Sequence, residues 1–410
     1  MIEGKRVRVR AKGKIFEGIA MPSSTGAFVL KLDSGYNIGL EDYDIIEVFD
    51  IEKAEIPLPS HKKRKDLPTV KIISTGGTIA SKVDYRTGAV TSQFSAQEIA
   101  ADVPELIDIC NVDAELLYNI LSENMNPTKW MELSEEVYKA IKKGYEGVIV
   151  THGTDTLAYS ASALAFMLST SVPIVFVGSQ RSSDRPSSDA AINLVCAAKT
   201  AISDLGEVVI VMHGSTSDEF CCIHRGVRAR KNHTSARDAF RSINNPPLGI
   251  VNGGIKWISE RFRRNQRELE LKNKMEDKVA LIKFYPGMKP EIVDFYHENG
   301  YRGFVIEGTG LGHTSTDWID TFKRVTEDSV VVMTSQCLWG RVCDRVYDTG
   351  RDLLKAGVIE GEDMLPEVAM IKLMWLLGNY DVEEAKSLVQ RNLVGEINPT
   401  TKYPTNEKCI

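Results

Sequence analysis

Two short segments of the chain carry side chains able to attack and activate a carbonyl group. Ser74-Thr75-Gly76-Gly77-Thr78-Ile79-Ala80 displays two threonine hydroxyls around a pair of glycines. Thr151-His152-Gly153-Thr154-Asp155-Thr156 adds three more hydroxyls, an imidazole and a carboxylate. A hydroxyl is a weak nucleophile unless a neighbouring base takes its proton. The chain has no Gly-x-Ser-x-Gly elbow. A lysine beside an aspartate supplies a base of another kind, because burial lowers its pKa. Lys231, within Arg228-Ala229-Arg230-Lys231-Asn232-His233-Thr234, is one candidate. Spacing alone does not separate it from the other lysines, most of which serve as surface charges.

Each segment also has a plain structural reading. Gly76 and Gly77 suit a sharp turn with close backbone approach, and such turns are common in packing. A phosphate loop is another reading, but the segment lacks the Gly-Lys-Ser/Thr ending. Leu157 opens an apolar helical pattern, so Thr154, Asp155 and Thr156 fall near a helix start, where Thr and Asp are good caps. Backbone N–H groups at that start also suit an oxyanion. His152, alone beside a strand end, is read as structural.

The elements around these segments alternate. Apolar, β-rich runs at 70–73, 147–150, 174–177 and 208–212 are separated by helical patterns at 133–141, 157–168 and 190–202. This predicts an α/β domain over 69–258, with a mostly parallel sheet covered on both faces and right-handed crossovers. Both hydroxyl-rich segments follow a strand, and ligands in such sheets bind beyond the carboxyl ends. The charged stretch 259–278 reads as an interdomain connection. A smaller α/β domain follows over 279–395, with strands near 279–284, 303–306 and 329–333. Its helices lie near 316–326, 365–377 and 382–392, and 396–410 is a tail. Ahead of all this, residues 1–50 hold five short runs (6–10, 14–20, 27–32, 37–40 and 45–48) between turn formers, the pattern of a small β-barrel. Residues 51–68, with three prolines and no periodicity, read as a linker.

A chain of 410 residues is long enough for two or three domains. Its 43% apolar and 26% charged shares are ordinary globular values. The net charge of −6 makes it a poor polyanion binder as a whole, so any nucleic acid is expected to be held mainly by a partner. The basic runs at 5–14 and 62–65 read as a solvated strand face and a solvated linker. Seven cysteines without paired CxxC units argue against a zinc ribbon and for free thiols in a reducing cytoplasm. The first residues lack the apolar core of a secretory signal. Apolar runs such as 208–212 are too short to span a bilayer. A cytoplasmic chain with no metal and no cofactor of its own is expected.

Taken together and in this order, the two segments resemble the two signatures of the bacterial-type asparaginase family. Asn119-Ile120-Leu121-Ser122-Glu123-Asn124-Met125-Asn126 is similar to that family's substrate-holding segment. Residues 175–181, with Asp189 and Asn193 behind them, and residues 244–254 continue the likeness, which covers about 69–395. The resemblance implies a two-domain asparaginase-like α/β fold and an amidohydrolase. It implies that Thr78 attacks the side-chain amide, that Lys231 is the base poised by Asp155, and that Thr154 relays a proton or activates the deacylating water. It implies that Ser122 and Glu123 grip the substrate's α-carboxylate and α-ammonium, Glu123 standing where free asparaginases usually carry Gln. A carboxylate suits an ammonium through a charge-assisted hydrogen bond. Tyr85 resembles the tyrosine of the mobile lid. His313 stands where many asparaginases carry Asn, and is kept out of the catalytic set.

Within that family the N-terminal β unit, residues 181–190 and residues 347–353 resemble one branch, the D-type subunits of archaeal glutamyl-tRNA(Gln) amidotransferases. That resemblance implies a glutaminase subunit working with an E-type subunit that holds the tRNA and uses ATP and Mg2+. A homodimer within a heterotetramer is implied as well. The alternative is a free-standing L-asparaginase of the same chemistry, against which the N-terminal β unit weighs.

Overall fold

The computed structural model describes residues 2–21, 23, 27–34, 36–49, 63–77, 81–83, 90–92, 98–99, 102–183 and 187–401. The first unit is a five-stranded antiparallel sheet of Arg6–Ala11, Lys14–Met21, Phe28–Leu32, Asn37–Leu40 and Tyr43–Phe49. Arg6–Ala11 lies between Lys14–Met21 and Tyr43–Phe49, and Asn37–Leu40 forms the opposite edge. Phe28 and Tyr43 stack at 4.2 Å between ring centroids and curl the sheet. Among the described residues no ladder joins the two edge strands, so the expected barrel is a curled sheet there. The basic run is ion-paired: Arg6 meets Glu17 at 2.9 Å and Asp33 at 2.6 Å, and Arg8 meets Glu17 at 3.1 Å and Glu47 at 2.6 Å.

The second sheet has eight strands. Asn111–Leu116, Thr69–Ser74, Gly147–Thr151, Ile174–Val177 and Val208–His213 lie side by side and parallel. Cys221–Arg225, Gly249–Asn252 and Gly254–Trp257 extend it in antiparallel sense. The central strands read as unbroken apolar runs because both faces are covered. Strand alternation sends Val148, Val150, Ile174, Phe176, Ile210 and Met212 to one face. It sends Ile72, Ile149, Val175, Val177, Val209 and Val211 to the other, where helix Ala190–Ala201 packs.

The third sheet is fully parallel, in the order Val279–Lys283, Gly303–Gly308, Val330–Ser335 and Ile359–Glu360. Helix Pro366–Asn379 packs on it and against helix Leu157–Met167 of the larger domain. Phe166 and Trp375 meet there with ring centroids 6.1 Å apart. Ten of the eleven residues of Leu157–Met167 are buried, so it carries no polar stripe. A helix apolar all round is one enclosed between layers. Glu270–Leu271 of the connecting stretch pairs with Leu168–Ser169, tying the connection to the larger domain. No described helix is long and apolar enough to cross a membrane.

Candidate active site

The two hydroxyl-rich segments leave neighbouring parallel strands, Thr69–Ser74 and Gly147–Thr151, at their carboxyl ends. Register alone puts Ser74 opposite Thr151. Beyond that point the loops stay fastened: Thr75 donates to the Thr151 carbonyl from its backbone nitrogen and from its hydroxyl, each at 3.0 Å. His152 N–H donates to the Val177 carbonyl at 2.9 Å, joining the third strand end. Gly76 and Gly77 have φ of 109° and 88°, a region open to glycine and costly for other residues. A methyl at Gly76 would lie 2.4 Å from the Ile120 oxygen, and one at Gly77 would lie 2.7 Å from the Gly153 nitrogen. Gly76 lets the turn that leads into Thr78 lie against Ile120, and Gly77 lets it lie against the second segment. Thr78 and Tyr85 themselves lie outside the described residues.

Ser122 and Glu123 form a single 3-10 turn, Ser122–Asn124, with Ser122 buried and Glu123 exposed. This turn is pressed onto the second segment: a methyl on Gly153 would come 2.8 Å from Ser122 Cβ. The Thr156 hydroxyl donates to the Ser122 carbonyl at 2.6 Å. Thr156 occupies the N-cap of helix Leu157–Met167 yet makes no side-chain cap bond. The hydroxyl expected to cap the helix instead binds the turn that carries Ser122 and Glu123, a role that spacing could not reveal.

Lys231 ends a three-residue strand, Ala229–Lys231, paired with Phe240–Ser242 apart from the large sheet. Its Nζ donates to Thr154 Oγ1 at 2.9 Å and to Asp155 Oδ1 at 2.7 Å. The lysine side chain is 13% exposed and that of Asp155 70%. The structure thus brings Thr154, Asp155 and Lys231 together across 76 residues of sequence. An amine held between a hydroxyl and a carboxylate can pass a proton to or from the hydroxyl, with the carboxylate fixing its orientation.

His152 is fully buried, and burial holds its pKa down at about 4. The Gly153 carbonyl can only accept, so Nδ1 carries the proton toward it over 2.7 Å. Nε2 then accepts from the Ser160 hydroxyl at 2.8 Å, and Ser160 accepts from the Trp130 indole at 2.8 Å. With both nitrogens engaged, His152 is a neutral structural strut. Asp189 plays a similar part behind the third strand. Its carboxylate receives the Gln180 N–H at 2.9 Å and the Arg181 N–H at 2.9 Å. His313 packs against Tyr347 with ring centroids 5.5 Å apart. Among the described residues, no group of three or more His, Cys, Asp or Glu could hold a metal ion.

Two layered α/β domains, with a hydroxyl–lysine–carboxylate group at the strand ends of the first, define an asparaginase-type protein. The asparaginase N-terminal family matches residues 69–263, and the glutaminase/asparaginase C-terminal domain matches residues 278–388. The thermostable L-asparaginase from Thermococcus kodakarensis superposes with a TM-score of 0.73 at 31% identity, covering 81% of this chain and 100% of that one. L-asparaginase I from Vibrio cholerae gives 0.71 at 28%, covering 81% and 99%. Residues 1–49, which precede both domains, match the GatD N-terminal domain. The D-type subunit of glutamyl-tRNA(Gln) amidotransferase from Archaeoglobus fulgidus is 69% identical over 98% of this chain and 97% of its own. Its counterpart from Methanosarcina mazei is 52% identical over 97% and 99%. The chain belongs to the family of D-type subunits of glutamyl-tRNA(Gln) amidotransferase.

Proposed function

We infer that this chain is the component that releases ammonia from glutamine for the amidation of Glu-tRNA(Gln) by a partner. The observation that carries the reading is Lys231 Nζ held between Thr154 Oγ1 and Asp155 Oδ1 beside the glycine turn that leads into Thr78. In the proposed reaction the Thr78 hydroxyl oxygen attacks the side-chain carbonyl carbon of glutamine. The Thr78 proton passes to the base, the carbon–nitrogen bond breaks, and the nitrogen takes a proton and leaves as ammonia. Water then attacks the resulting ester and gives one proton through Thr154 to the base, which returns it to Thr78 as glutamate departs. Backbone N–H groups at the start of helix Leu157–Met167 are suited to the oxyanion. Ser122 and Glu123 would hold the α-carboxylate and α-ammonium, and Tyr85 would close over them.

The relatives are named as one component of an amidotransferase acting on glutamyl-tRNA(Gln), which supports a partner chain. In this reading the partner is the E-type subunit, which carries the tRNA and uses ATP and Mg2+, with two copies of each chain in the assembly. The net charge of −6 agrees with the tRNA being held mainly by that partner. Thr78→Val, in the complex with the partner, should lower ammonia release from glutamine by several orders of magnitude while the circular dichroism spectrum stays unchanged. Ammonia release at the wild-type rate would remove Thr78 from the nucleophile's role.

The likeness to L-asparaginases favours a second reading, a free-standing enzyme acting on asparagine. Full turnover of free asparagine by the isolated chain, unchanged on removal of residues 1–49, would select it.

A further inference from the structure

The strand that carries Lys231 is too short to hold itself. It has three residues, it lies outside both parallel sheets, and its ladder partner Phe240–Ser242 is equally short. A two-stranded ribbon alone is marginal, yet the amine must stay within hydrogen-bond reach of two side chains. The support comes from behind, and from the other domain.

Alternation along the strand puts Arg230 on the side opposite Lys231, and Arg228 immediately precedes the strand. Arg228 is buried and forks onto Asp363, with Nη1 3.1 Å from Oδ2 and Nη2 3.3 Å from Oδ1. Arg228 Nη1 also donates to the Asp363 carbonyl at 3.1 Å, and Nε to the Gly395 carbonyl at 2.9 Å. Asp363 is itself fixed by the Asn398 backbone N–H at 2.9 Å and the Asn398 amide at 2.7 Å. Two residues on, Arg230 Nε stands 3.5 Å from Glu367, a buried carboxylate in the first turn of helix Pro366–Asn379. A forked arginine–carboxylate pair fixes direction as well as distance.

We propose that Asp363 and Glu367, on the smaller domain, are positioning residues for Lys231. They hold Arg228, just before the strand, and Arg230, within it, and so aim the Lys231 amine at Thr154 and Asp155. The proposal rests on Lys231 acting as the base. Neither carboxylate touches the reacting group. A purely structural pair would lower stability and leave the kinetics of the folded protein unchanged, whereas misplacing a catalytic group by about 1 Å costs on the order of 100-fold in rate.

The test uses the full chain in its complex, with ammonia release from glutamine as the readout. Glu367→Gln, Asp363→Asn and the control Lys231→Gln are compared at a temperature where calorimetry shows each to be folded. Glu367→Gln and Asp363→Asn should lower kcat by about 10- to 100-fold with KM within about two-fold, and should displace the acid limb of the kcat/KM profile. Asp363→Glu, which keeps the charge, should recover part of that loss. Wild-type kcat and pH profile in both amide variants, with Lys231→Gln inactive, would overturn the positioning role and leave Lys231 as the base. Full activity in Lys231→Gln would overturn both. If Asp363→Asn does not fold, Glu367→Gln decides alone, since it keeps size and breaks a single, partly exposed pair.

Discussion

Replacing Gly77 by alanine tests whether the two strand-end loops must touch. Gly77 has φ of +88°, where an ordinary residue costs about 1–2 kcal/mol. Its new methyl would lie 2.7 Å from the Gly153 nitrogen and 2.9 Å from both the Gly153 Cα and the His152 carbonyl carbon. Ordinary carbon contacts lie near 3.5–4.0 Å, so the loops would have to part by about 1 Å. Every one of these neighbours is backbone, which cannot rotate away, and overpacking of this kind costs about 1–3 kcal/mol. Together the two effects amount to roughly 2–5 kcal/mol, or a melting temperature lower by roughly 5–15 °C for a domain of this size. The same displacement moves the turn leading into Thr78 away from Thr154, and a shift of about 1 Å costs on the order of 100-fold in rate. Gly144→Ala is the matched control. Its φ is +92°, but a methyl there meets nothing within 4 Å, so it carries the backbone cost alone. Calorimetry and a coupled ammonia assay on both variants separate the two contributions. If Gly77→Ala melts no lower than Gly144→Ala and keeps kcat within about two-fold, the loops do not depend on this contact and the reasoning fails.

Three further outcomes are expected. The Asp344 carboxyl is buried with no hydrogen-bond partner on either oxygen among the described residues, and burial beside Glu360 pushes its pKa up to about 7. Because the unfolded chain releases this proton near pH 3.9, its contribution is full below that pH and is lost as the pH rises through 7, at up to about 1.4 kcal/mol per unit. Asp344→Asn should therefore raise the melting temperature more at pH 8 than at pH 5, and equal shifts would contradict a protonated Asp344. Lys372 and Glu396 form a fully buried pair at 2.6 Å. Lys372→Met should cost about 3–5 kcal/mol in urea unfolding, and adding Glu396→Gln should restore most of it; a double variant no better than the single one would count against an uncompensated charge. Burial holds His152 near pKa 4 and His224 near 3, both below the unfolded value of about 6.5. Their stabilisation is present above pH 6.5 and is lost as the pH falls toward 4, so His152→Gln should flatten acid unfolding in that window. The wild-type rate profile should carry no inflection from His152 above about pH 5, which a profile unchanged in position by His152→Gln would check.

Much of the scaffold was legible because parallel strands buried on both faces are written as plain apolar runs. Those at 70–73, 147–150, 174–177 and 208–212 lie within observed strands, with ends shifted by one residue at most. The three antiparallel strands that extend the large sheet were not read. Cys221–Arg225 holds a histidine and an arginine, and the other two are four residues each and include glycine. Helix Asp348–Lys355 contains Gly350, which sits against the Asp344 backbone and hides the helical pattern. The site itself was half visible. Hydroxyls after a strand mark a ligand position, but a lysine 76 residues beyond Asp155 is chosen only by tertiary folding. Asp363 carries no signal at all in its neighbourhood, since an acidic residue between glycine-rich and apolar stretches reads as surface charge.

The Arg228 clamp also has a consequence in time. Chains are made from the amino terminus, and domains fold as they emerge. The large sheet and its strand-end loops are complete once residue 257 is made. Arg228, however, finds Asp363 only 135 residues after itself, the Gly395 carbonyl 167 residues after itself, and Asp363 is fastened by Asn398. The contacts that hold Arg228 can therefore be completed only near the end of synthesis, once Gly395 and Asn398 have been added.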